Sequence, residues 1–185
     1  LLRFSNERYW MLATIREFAT ERLEESGELD AGMERLALYL VELARDLGAP
    51  MFLGHHIAEA HARLDPQHAN VRAAVEWAIA RERNELVAEF VAVFREVWSS
   101  EGDTAEMTRW SEHALLARDV VAAELWPQVL LCAERMQLIR GDRARARLLI
   151  EEALEALQEL DPQPTIEALC LSELSWISCE DGDYE

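Results

Sequence analysis

Apolar residues recur along most of this chain at intervals of three and four, the spacing that gathers them on one face of an α-helix. The cleanest stripe is Met33, Leu36, Ala37, Leu40, Leu43, Ala44 and Leu47. Gly48 is expected to end that helix, Pro50 to prevent its continuation, and Asp30 to cap its start. Before it, Leu12, Ile15, Phe18, Ala19 and Leu23 predict a helix from about 12 to 26, stopped by Gly27. Residues 51–64 read as a weaker helix. Asp65-Pro66 is then a start signal, a cap followed by proline in the first turn, with Val71, Ala74, Val75 and Ala78 as the buried face. Leu86, Phe90, Phe94, Val97 and Trp98 predict another helix over 84–100. Residues 1–11 differ: Leu1-Leu2-Arg3-Phe4 and Arg8-Tyr9-Trp10-Met11 flank Ser5-Asn6-Glu7 like two short strands around a tight turn.

A repeat emerges in the second half. Gly102-Asp103, Gly141-Asp142 and Gly182-Asp183 lie 39 and 41 residues apart, each after an apolar helix. Glycine closes one helix and aspartate caps the next, so a single dipeptide makes a sharp helix-to-helix turn. Glu112-His113-Ala114-Leu115 matches Glu151-Glu152-Ala153-Leu154, with Ala114 and Ala153 twelve residues after their glycines. A small residue there lets two helices approach closely. This spacing, and the tripeptide Gly182-Asp183-Tyr184, resemble the tetratricopeptide repeat. In that family an alanine usually stands five residues after the glycine; Ala146 fits and Met107 departs. The family period is about 34 residues, so longer connections are expected here. The fold expected is all-α, a tetratricopeptide-like superhelix of antiparallel helical hairpins with a small N-terminal β-hairpin. Stacked hairpins bury a continuous core and leave a concave face for a partner.

Composition narrows the function classes. Gly and Pro are scarce, at seven and five in 185 residues, which suits helix throughout. The net charge is −18, from 36 acidic and 18 basic residues, and such a surface repels phosphate backbones. No direct nucleic-acid contact is expected. No apolar run approaches the roughly 18 residues of a membrane span, and no signal peptide opens the chain. The cysteines, Cys132, Cys170 and Cys179, are odd in number and lack C-x-x-C spacing, as expected of free thiols in a reducing cytoplasm. The chain opens on Leu1 rather than Met and closes where a further helix should begin, so it reads as an excised fragment.

Candidate chemistry is sparse. His55, His56, His61 and His68, with Glu59 and Asp65 between, form the one histidine-rich stretch. Zinc ligands must converge from one face; His56, Glu59 and His61 are the candidates, but H-E-x-x-H is absent and Pro66 interrupts any helix reaching His68. A set of surface histidines explains the stretch more simply. Neither a phosphate-binding glycine loop nor a G-x-S-x-G elbow occurs, so no catalytic residue and no cofactor is assigned. Acidic pairs such as Glu24-Glu25 and Glu151-Glu152 read as solvated helix faces. Trp77, Trp98 and Trp176 read as core, whereas Trp110, among polar neighbours, and Trp126, before Pro127, are candidates to line a groove.

Two longer segments carry a family resemblance. The run from Arg8 to Glu28, RYWMLATIREFATERLEESGE, resembles the end of the winged-helix module in bacterial signal-transduction ATPases of the NB-ARC-like type, many described as LuxR-type or AfsR-like transcriptional regulators. The run from Leu64 to Ala78, LDPQHANVRAAVEWA, is similar to the start of their helical sensor region. The resemblance implies a division into 1–28 as the end of the winged helix, 29–83 as a linking helical segment and 84–185 as repeats, the last truncated. It also implies an upstream ATPase domain that the repeats pack against, a DNA-binding domain elsewhere, and a protein or small-molecule inducer on the concave face. The alternatives are a free-standing tetratricopeptide-like scaffold and a metal-dependent hydrolase using the stretch from His55 to His68.

Overall fold

The structure is a computed structural model that describes residues 2–5, 8–52, 62–101 and 104–181. It is all-α apart from one small hairpin at the N-terminus. Strands β1 (Leu2–Ser5) and β2 (Arg8–Met11) pair antiparallel, with Leu2 opposite Met11 and Phe4 opposite Tyr9. The Phe4 and Tyr9 rings meet at 4.8 Å between centroids. Helix α1 (Ala13–Ser26) comes next and stops at Gly27, whose φ of 74° is left-handed, as the position of that glycine predicts.

Helix α2 (Leu29–Phe52) corrects two expectations. It runs through Gly48 and Pro50 instead of ending there. A proline this near a helix end forfeits a single backbone hydrogen bond, and the buried face of Ala37, Leu40, Val41, Ala44 and Leu47 anchors the helix up to that point. It also begins at Leu29, so Asp30 lies inside the first turn and is no cap. The Asp65-Pro66 expectation is corrected in part: residues 62–64 are already helical, Asp65 is not the cap, and the dipeptide forms a 3-10 turn within the helical path. A 3-10 turn opens at Asp65 and leads into α3 (His68–Ala80), whose Val71, Ala74, Val75 and Ala78 are buried as predicted.

The remaining helices are α4 (Asn84–Glu101), α5 (Thr104–Ala114), α6 (Trp126–Ile139), α7 (Arg143–Gln158) and α8 (Pro164–Asp181). At the turn between α6 and α7, Gly141 has φ 80° and donates to the Leu138 carbonyl, while the Asp142 N–H donates to that of Gln137. The Asp142 carboxylate then accepts the Arg145 N–H at 3.0 Å. One dipeptide thus closes α6 and caps α7. The other two Gly-Asp dipeptides lie outside the described residues. Ala114, Ala146 and Ala153 are fully buried, and Met107, the departure from the alanine pattern, is buried as well. The extra length of the repeat lies between α5 and α6, where Leu115–Ala117 and Ala123–Leu125 form 3-10 turns.

Each helix packs on its predecessors. α2 meets α3 and α4, α4 meets α5 and α6, α6 meets α7, and α7 meets α8. One continuous core runs from Ala37 to Ile177. No described helix is long and apolar enough to cross a membrane.

Candidate functional site

Trp110 and Trp126 do not line a groove. Their exposures are 1% and 3%, and both are core residues. Trp110 was expected at the surface because Arg109 and Ser111 flank it. Ser111 is itself buried, its hydroxyl donating to the Met107 carbonyl at 2.7 Å, since α5 is covered by both α4 and α6. Trp126 opens α6, with the Arg118 guanidinium 5.0 Å from its ring centre and its Nε1–H directed at Glu152 of α7, 3.3 Å away. Trp77 is core as expected, whereas Trp176 on α8 is 48% exposed. The Trp98 side chain lies outside what is described.

Three of the indoles share one device. Each buries its ring and gives its N–H to a carboxylate on another helix. Trp77 donates to Asp30 of α2 at 2.8 Å, Trp110 to Glu76 of α3 at 3.0 Å, and Trp126 to Glu152 of α7. A buried indole N–H needs such a partner. The first two carboxylates also hold an arginine. Arg81 Nε lies 3.0 and 3.2 Å from the two Asp30 oxygens. Arg109 grips Glu76 through both of its terminal nitrogens, one at 2.9 Å. These bonds lower both carboxyl pKa values. At Asp30 the largest cause is the Trp77 bond, followed by Arg81. At Glu76 it is the Arg109 bond, with Trp110 also contributing against the cost of burial. Both groups are therefore ionised at neutral pH, the state in which they accept these bonds. Arg72 to Glu106 at 2.8 Å adds a further link between helices, and Arg83, in the turn before α4, bonds Glu34 of α2 at 2.6 Å.

The clasps were not read from the sequence. Adjacent Glu76-Trp77 and Arg109-Trp110 were the available signal, an indole beside a charged residue in each of two successive helical units. Pairing them required knowing which helices are neighbours. His56, Glu59 and His61 lie outside the described residues, and His68 is half-buried at the start of α3. Among the described residues no group of three or more His, Cys, Asp or Glu side chains is placed to hold a metal. Cys132 and Cys170 are buried thiols and Cys179 is exposed.

Among the described residues, several exposed apolar side chains belong to the N-terminal hairpin and α1. Phe4, Tyr9, Met11, Leu12, Phe18 and Leu23 are all exposed, and α1 contains no buried residue. Comparison with protein-family models, with curated proteins and with solved structures finds no match to this chain.

Proposed function

We propose that this chain is a non-catalytic sensory and protein-interaction region of a bacterial transcriptional regulator whose ATPase domain lies upstream. The observation that supports this reading best is the join between two unlike parts. A strand–strand–helix unit with an exposed apolar surface is fused directly to a stack of packed helices. An apolar surface of that kind suits a unit that packs against another domain. Its sequence, from Arg8 to Glu28, is also the segment that resembles the end of the regulators' winged helix. The net charge of −18 supports a reading in which a different domain makes the DNA contacts.

The mechanism in this reading is a shift between two arrangements. In the resting protein the helical stack packs against the nucleotide-binding domain. An inducer held by the stack favours release, to the extent that it binds the released arrangement more tightly.

The coding sequence upstream of Leu1 tests this directly. A G-x-x-x-x-G-K-[ST] motif after a predicted strand is expected within a few hundred residues (an order-of-magnitude allowance for a nucleotide-binding domain and its linker). Its absence there overturns the regulatory reading and leaves a free-standing helical scaffold. Deleting residues 84–185 from the regulator is expected to abolish its response to inducer; a normal response would remove the sensory role.

A further inference from the structure

Helices α1, α3 and α6 close with the same pair of backbone bonds, and two of them use glycine to do it. The left-handed residue is Gly27 after α1 and Gly141 after α6. After α3 it is Glu82, with φ 53°. The Glu82 N–H donates to the Ile79 carbonyl, and the Arg83 N–H to that of Ala78. Among the described residues Glu82 is the one non-glycine with positive φ. A side chain in that conformation carries backbone strain that glycine avoids. Such strain persists where the surroundings hold it. Here the residues on either side of Glu82 are arginines, and both reach α2. Arg81 bonds Asp30 at 3.0 Å and Arg83 bonds Glu34 at 2.6 Å.

The two carboxylates stand at i and i+4, on one face of α2. That end of the helix has little else to hold it. Residues 29–36 include no buried residue; Met33 and Leu36 lean half-buried on the core, and the buried face begins at Ala37. The first two turns are therefore tied to α3 and the turn after it chiefly by polar groups. These are the Trp77 indole and Arg81 on Asp30, and Arg83 on Glu34. The four charged side chains are 43% to 56% exposed. Ion pairs this open to water contribute little each and weaken with salt. Helix α1 is joined to this end of α2 by Gly27 and Glu28 and packs on α2.

We propose that Asp30 and Glu34 of α2, with Arg81 and Arg83 of the α3–α4 turn, form a releasable latch. Closed, it holds the start of α2, and α1 with it, against the helical stack. Open, it lets that end swing away while α2 from Ala37 onward stays packed. Two opposing features make it releasable. The charge pairs and the Trp77 bond close it. The strain at Glu82, which the closed turn carries and a freed turn sheds, works to open it. The stack itself is not part of the device, because its core lies beyond the latch on every side helix.

A distance measurement tests the latch. Spin labels go on Glu21→Cys of α1 and Glu151→Cys of α7, both exposed sites, in a Cys179→Ser background where Cys132 and Cys170 are buried. Asp30→Asn with Glu34→Gln removes both charges and leaves an oxygen for the Trp77 indole. The population at a displaced distance is expected to rise at least about twofold. Salt of about 1 M, where the screening length is about 3 Å, is expected to do the same to the charged chain and to add little to the uncharged one. Glu82→Gly added to Glu34→Gln, which keeps the Asp30 half, is expected to lower the displaced population again. A distribution unmoved by charge removal and by salt overturns the proposal. So does a displaced population that appears only together with lost exchange protection of the α6 amides, since α1 then moves because the core unfolds.

Discussion

Helices α1 and α6 are each 14 residues long and each carries apolar residues at helical spacing, yet they end in opposite situations. α6 buries nine of its residues and α1 buries none. Both end on a left-handed glycine with the same pair of backbone bonds: Glu28 to Leu23 and Gly27 to Glu24 in one, Asp142 to Gln137 and Gly141 to Leu138 in the other. Local chemistry is therefore alike, and the difference lies in neighbours. α6 sits among four helices, while α1 touches the start of α2. An apolar stripe specifies a face that needs cover; it does not specify the cover.

Core truncation should separate the two helices most. Leu130→Ala removes a fully buried side chain and is expected to cost about 2–5 kcal/mol in denaturant unfolding. Phe18→Ala, at a 57% exposed site, should stay within about 0.5 kcal/mol. A comparable loss at Phe18 would show that α1 is packed in solution and would break the comparison.

Overfilling should come next. Ala153→Leu forces a large side chain between α7 and its neighbours and is expected to cost about 1–3 kcal/mol. Ala19→Leu, half-buried on α1, should leave the melting temperature unchanged.

The two glycines sharpen the contrast further. Neither has a neighbouring atom within 4 Å of an added Cβ, so only the positive φ opposes substitution. Gly141→Ala should lower global stability by about 1–2 kcal/mol. Gly27→Ala carries the same local strain, but its effect should appear as faster amide exchange in α1 alone. An equal drop in melting temperature for both would mean that α1 unfolds together with the stack.

The smallest effect expected is on pH dependence. The carboxyl of Glu76 has its pKa lowered in the fold from a reference of 4.5, chiefly by Arg109. Its contribution is present above that reference and lost as pH falls through the lower folded value. Glu76→Gln should therefore flatten the acid limb of the stability curve below about pH 4.5 and reduce stability slightly at neutral pH. An acid limb identical to that of the unmodified chain would remove the clasp as a contributor.

How much was legible depends on the range of each signal. The Gly141-Asp142 turn was readable because a left-handed glycine and a capping carboxylate act within a few residues. The interhelical alanines were readable because small side chains at fixed distance from that turn have few other uses in a hairpin. The stop at Gly48-Pro50 was misread because the cost of one lost hydrogen bond is small against a buried face. Trp110 was misread because flanking polar residues describe the chain beside a side chain, not the helices above and below it, and Trp126 because a place before Pro127 at a helix start does not say which helices cover it.

By itself, then, the amino-acid order determined helix content, the N-terminal hairpin and the turn at 141–142, all set by interactions within a few residues of each other. Tertiary structure alone decided which apolar faces are covered, and it turned Asp30 from an expected cap into the carboxylate that ties Trp77 and Arg81 to α2. Those partners stand 47 and 51 residues away, a separation at which periodicity carries no information about which helices will meet.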